Sequence, residues 1–186
     1  MDFEHHHNLH RISPADLELE RRFIHRLTPR TKRQRLLAAF GEPSDAQLVR
    51  LVSPNPHSEL ALAWIAKEGS QTTTSMEGEF AAVARYALLD GEQGVAEFAI
   101  VVADELQSQG IGRKLLLALI TAARAADLRH LQGDCYADNR ALIALCEGLG
   151  FAIESHPEDA TLVRVSLHLI AKGAHTEHTE HHARYQ

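Results

Sequence analysis

At 186 residues the chain can bury one substantial hydrophobic core and is short for two, so a single domain is expected. Its 25 acidic residues against 19 basic ones leave a formal charge of -6, which excludes the broad basic field of a nucleic-acid binder and suits cationic partners. Two cysteines, Cys135 and Cys146, make no disulfide framework and fit a reducing cytoplasm; with no signal-like apolar core at the start and no apolar run near the ~20 residues that cross a bilayer, a soluble protein without a membrane partner is expected.

In chain order, residues 8–12 read as a short strand ended by Ser13-Pro14, a cap followed by a proline suited to a first helical turn. A helix is expected over 16–27, a second from Thr28-Pro29-Arg30 through Phe40, and a third, opened by Pro43-Ser44-Asp45, through about Leu51. Two alternating runs, 60–66 and 80–88, read as a strand pair joined by a mobile polar connection over 67–78. The remainder reads as strand (94–103), helix (110–126), strand (131–136), helix (139–149) and two strands (151–154 and 161–169). Helices interleaved with strands predict an α/β fold with a mixed sheet.

The strand at 94–103 and the helix at 110–126 are joined by Gln107-Ser108-Gln109-Gly110-Ile111-Gly112. Gly110 and Gly112 lack a Cβ, so the backbone can turn sharply and a diphosphate can approach the unpaired N–H groups of the helix's first turn, where the helix dipole favours an anion. A nucleoside-triphosphate loop would follow the second glycine with Lys-Ser/Thr; Arg113 and Lys114 stand here instead. A dinucleotide fingerprint needs a third Gly or Ala at the position held by Leu115. Packing alone also accounts for a glycine turn. Further on, Asn139 opens a short apolar helix that ends in Leu149-Gly150-Phe151. The Asn139 amide can cap that helix and bond a ligand amide or water, and Gly150 suits the helix end.

The pattern Gln/Arg-x-x-Gly-x-Gly/Ala at 107–112 resembles motif A of the GNAT superfamily of N-acetyltransferases, and Asn139 to Phe151 is similar to its second signature. The resemblance implies a GNAT fold, a mixed, mostly antiparallel sheet of about six to seven strands flanked by helices, over residues 9–171; the His-rich composition of the tails at 1–8 and 172–186 reads as disordered. It also implies acetyl-CoA as cosubstrate, with the diphosphate held by Gln107, Ser108, Gln109, Gly110, Ile111, Gly112 and Arg113. The pantetheine amides would pair with a strand edge at Ile100, Val101 and Val102, with Asn139 beside them. The segments 9–16, 23–33 and 46–51 and the run Ala96-Glu97-Phe98-Ala99 look like bacterial Pat-type protein lysine acetyltransferases, whose catalytic glutamate lies on this strand.

Glu97 is the expected general base. Alternation puts it on a face with Val95, Ala99 and Val101, a lone carboxylate in apolar company, and burial of that kind helps a carboxylate accept a proton near neutrality. A rim glutamate satisfied by an arginine is the other reading. Many GNAT enzymes carry a tyrosine acid where this chain has Cys146, which is either a proton donor or a small core residue; Tyr136 is a second candidate acid. Of the thirteen histidines, those in the two tails imply only loose metal binding, and no dedicated metal site is expected.

The expected function is acetyl transfer from acetyl-CoA to a primary amine, protein lysine first, by direct attack. A small-amine acetyltransferase and a non-catalytic acyl-CoA sensor are the alternatives. A monomer or homodimer suits either.

Overall fold

The computed structural model describes residues 8–36, 43–66 and 78–169. Along the chain lie β1 (Leu9–Arg11), a 3-10 turn (Pro14–Asp16), α1 (Leu17–Arg26), α2 (Pro29–Leu36), α3 (Asp45–Val52), β2 (Glu59–Ile65), β3 (Phe80–Leu88) and β4 (Val95–Val102). A second 3-10 turn (Asp104–Leu106) leads to α4 (Ile111–Ala125), β5 (His130–Tyr136), α5 (Arg140–Glu147), β6 (Ala152–Ser155) and β7 (Leu162–His168). The expected elements are present with ends moved by a few residues. The end of the second helix, the connection at 67–77 and both tails lie outside the described residues, except Asn8, whose side-chain amide donates to the Ile65 carbonyl at 2.8 Å; no described helix is long and apolar enough to cross a membrane.

Among the described residues the strands form one seven-stranded sheet in the order β1-β2-β3-β4-β5-β7-β6, in which β4 and β5 are the only parallel neighbours. Helix α4 buries Leu115, Leu116, Leu119, Ile120 and Ala123, residues of one helical face, against β2, β3 and β4. The other face carries α1, whose Glu20 receives a hydrogen bond from Arg85 of β3 at 3.3 Å, and α2 against β4. Beyond β4 that face changes character: Leu131, Gly133 and Cys135 of β5 are buried, whereas Gln132, Asp134 and Tyr136, pointing the opposite way, are only partly so.

The feature that creates the site is where the parallel ladder stops. Val95, Ala96 and Glu97 pair with His130, Leu131 and Gln132, and from Phe98 onward β4 keeps only its β3 partner. Phe98 fills the fork: its ring sits 5.3 Å from that of Phe151, and a Cβ on Gly133 would stand 2.7 Å from the Phe98 carbonyl oxygen. Gly133 is therefore the residue that lets the two strands approach at the apex before they part.

Candidate active site

Two cavities, each of about 370 Å³, open on either side of the fork. The first is bounded by Ile100, Val101 and Val102 on the freed edge of β4, by Gln107, Ser108, Gly110, Gly112 and Arg113 at the turn, and by Asn139, Ala141, Leu142 and Leu145 on α5; Thr31 and Leu106 complete it. The second is lined by Arg50, Glu59, Arg85, Tyr86, Glu97 and Ala99, with apolar walls from Leu51, Pro54 and Leu60 among others.

The turn is shaped for close backbone approach. Gly110 has φ +78° and Ser108 φ +63°, a succession that turns N–H groups toward one concavity. The first helical bond of α4 runs from the Lys114 N–H to the Gly110 carbonyl at 3.1 Å, which leaves the amides of Ile111, Gly112 and Arg113 outside the helix ladder. Around Gly110 nothing would meet an added Cβ within 4 Å, so glycine is there for its dihedral angle. Gly112 is there for space: a Cβ would stand 3.2 Å from Val102 Cγ2 and 3.5 Å from Leu145 Cδ2.

Seen residue by residue, the structure brings the cofactor-binding candidates to the first cavity, with two exceptions. Gln109 turns its amide back to the Glu105 carbonyl at 3.3 Å, and Ile111 packs against the core; neither lines the cavity. Gln107 donates to the Val102 carbonyl at 3.3 Å and folds the turn onto the strand end. Arg113 lines the cavity while its guanidinium donates to the Gly148 carbonyl at 3.0 Å, so its charge also serves the C-terminal end of α5. Asn139 is the N-cap of α5, accepting the Leu142 N–H at 3.3 Å.

Glu97 departs from its expected setting. Alternation holds, with Ala96 and Phe98 buried on the α4 side, but Glu97 and Ala99 are exposed, because the facing helices do not cover this part of β4. No hydrogen bond or ion pair holds the Glu97 carboxylate among the described residues. The nearby arginines are engaged elsewhere: Arg50 with Glu59, Arg85 with Glu20 and the Leu51 carbonyl, Arg164 with Asp134. Of the alternative, a rim glutamate satisfied by an arginine, the structure shows only a charge interaction at longer range, Glu97 being one of the carboxylates that raise the Arg164 pKa.

Cys146 sits at 0% exposure in the core, where burial pushes its thiol up to about 12, and it does not line either cavity. That setting favours packing over proton donation. Tyr136 lies at the end of β5 beneath Arg33, whose guanidinium carbon is 4.5 Å from its ring centroid. Among the described residues no three histidines, cysteines or carboxylates gather as a metal set.

Residues missed from sequence include Thr31, Leu142 and Leu145. The last two share a helical face three positions apart, a signal that was available; Thr31 reaches the cavity from an element distant in sequence.

Comparison with known proteins agrees with this architecture. The family model described as the acetyltransferase (GNAT) family matches residues 34–151. Acetyltransferase PA5475 of Pseudomonas aeruginosa is 32% identical over 152 residues, which cover 82% of this chain and 78% of that protein. Among solved structures, the GNAT domain of S. lividans PAT superposes with a TM-score of 0.73 at 22% identity, covering 87% of this chain and 89% of its own. The yncA protein of Salmonella typhimurium, solved with its cofactor acetyl-CoA, gives 0.63 at 18% identity, covering 89% and 95%. With the forked β4–β5 pair, the glycine turn and the Asn139-capped helix in that order, the chain belongs to the GNAT family of acetyltransferases.

Proposed function

We propose that this protein acetylates a primary amine, protein lysine first, drawing the acetyl group from acetyl-CoA held in the first cavity. The observation that carries the reading is the position of Glu97, an uncommitted carboxylate at the apex of the fork, on the wall of the second cavity and three residues before the freed edge at Ile100.

The first cavity fits the cofactor by its own construction. The bare backbone of Gly110 and Gly112 would admit a diphosphate to the amides of the first turn of α4, and the edge from Ile100 to Val102 would pair with pantetheine amides. Acetyl-CoA bound there supplies the thioester. Asn139 stands ready for a further amide.

On the acceptor side, the aliphatic stem of a lysine suits the Leu51, Pro54 and Leu60 walls, and its ammonium suits Glu97. An amine with pKa near ~10.4 must lose a proton before it can attack, which costs about 4 to 5 kcal/mol at pH 7. Glu97 draws in the ammonium and takes one proton through a water, the neutral nitrogen then attacks the thioester carbonyl to form the C–N bond, and as the C–S bond breaks the second proton passes from that nitrogen to the departing thiolate or to solvent. A dedicated acid is not required, because a thiolate whose conjugate acid has pKa near ~8.5 leaves tolerably. Cys146 has no part in this scheme.

A small amine is the second reading, favoured by the bounded size of the second cavity. Thiol release from acetyl-CoA, measured against a panel of amines and cell protein, tests both. Release that depends on a protein acceptor and on Glu97 is expected; release with free small amines only would replace the first reading by the second, and no release at all would leave a cofactor-binding sensor.

A further inference from the structure

After Glu97 and Gln132 the parallel strands part, so their C-terminal ends form the open end of a V. Helix α2 lies across that opening. At the β4 end, the Asp104 carboxylate, two residues past Val102, accepts hydrogen bonds from the Thr28 N–H at 3.0 Å, the Thr28 hydroxyl at 3.0 Å and the Thr31 hydroxyl at 2.6 Å. At the β5 end, Arg33 of the same helix stacks over Tyr136, the last residue of β5. The V is thereby closed into a triangle whose apex is Glu97 with Gln132, whose sides are the two diverging strands, and whose base is α2.

The two ends of the crossbar are unequal. Thr31 is 6% exposed and lines the first cavity, so the Asp104 end is a charge-assisted anchor buried on its Thr31 side and open to solvent on its Thr28 side, whereas the Arg33 end lies at the surface. The anchor is also needed. Helix α2 carries Arg30, Lys32 and Arg33 near its start and no acidic residue in its first turn, an arrangement that its own dipole disfavours. Asp104, from the far side of the fork, supplies the negative charge that this helix start lacks.

We propose that α2 is a crossbar that fixes the width of the pantetheine slot, and that Asp104 is the positioning residue that holds it, acting through Thr28 and Thr31. This rests on reading the first cavity as the coenzyme A site. The slot is then set by two separable devices: the turn at 107–112 for the diphosphate, and the crossbar for the pantetheine arm.

The test compares coenzyme A, followed by calorimetry, with pantetheine, which has no nucleotide or diphosphate, followed by NMR titration. Thr31→Ala and Asp104→Ala should weaken both ligands by the same factor, roughly tenfold, as expected when hydrogen bonds to a charged group are lost. Thr31→Ser should restore wild-type affinity, and Arg33→Ala should weaken both by about two- to fivefold. Ser108→Glu should weaken coenzyme A alone. A merely structural role would lower the fraction of competent protein and leave the dissociation constants unchanged. Thr31→Ala and Asp104→Ala proteins that are folded by circular dichroism and bind both ligands as the wild type does would overturn the crossbar and leave the cofactor reading standing. A wild-type protein that binds neither ligand would overturn both.

Discussion

The two cavities beside Glu97 are built from different materials. The first offers mostly backbone: a strand edge, a helix start and a turn with two positive φ angles. The second offers side chains from three strands and a helix, among them two arginines and two glutamates. A backbone site constrains sequence through what is missing, here the Cβ atoms of Gly110 and Gly112. A side-chain site can be rebuilt by changing single residues without disturbing the fold, which is why the first half of the site speaks for the family and the second for the acceptor.

That contrast breaks most sharply at Gly112. A glutamate there would force a side chain against Val102 and Leu145 and bring negative charge to the anion cradle, so acetyl-CoA affinity should fall by roughly 10²-fold or more. Calorimetry decides it, and unchanged affinity would detach the turn from the cofactor.

The complementary variant is Glu97→Gln. Turnover should fall by roughly 10² while acetyl-CoA binds nearly as before, because the side chain faces the other cavity. Normal turnover from pH 6 to 9 would remove Glu97 from the chemistry.

A third test addresses the acceptor directly. Mass spectrometry after incubation with a cell extract should find acetyl groups on selected lysines, and they should disappear with Glu97→Gln. Acetylation confined to free small amines would give the second cavity to a metabolite.

How much of this was legible in the sequence follows the same division. Gly110, Gly112 and Asn139 could be read because each answers a local demand: a left-handed dihedral angle, a close approach, a helix start. Alternation along β4 gave the correct face for Glu97 and the wrong environment. Whether a strand's second face is covered depends on where other helices dock, and period-two spacing carries no information on that. The Asp104 anchor was invisible for a related reason: its donors lie 73 and 76 positions away. The thiol of Cys146 could be read as a small core residue, since its helix is apolar around it, and the structure puts it there.

Smaller effects sharpen the comparison at its edges. Partial burial pushes the Asp104 carboxyl up, but the Thr28 N–H and the Thr31 and Thr28 hydroxyls outweigh it and hold the group below the usual carboxylate range. The folded value thus lies below the unfolded one, so this stabilisation is present above about pH 4 and is lost as pH falls through the folded value. In acid titrations followed by circular dichroism, Asp104→Asn should be less stable at neutral pH and show a shallower decline below about pH 4. Cys146→Ala, a small cavity in the core, should cost about 1 kcal/mol in urea unfolding and leave turnover unchanged.

The short parallel ladder has a consequence for how the molecule holds together. Strands β1 to β4 form one antiparallel meander and β5 to β7 a second antiparallel block, and in the sheet only the three pairs from Val95 to Glu97 stitch them. The slot for the cofactor opens along the rest of that seam. A ligand whose amides pair with the Ile100 to Val102 edge and whose other side rests on α5 would therefore fasten the two blocks where the chain itself has left them unsewn. By mass action, thermal melting should rise steadily with ligand concentration. Amide exchange should slow first at Phe98 to Val102, the stretch of β4 that lacks a second neighbour.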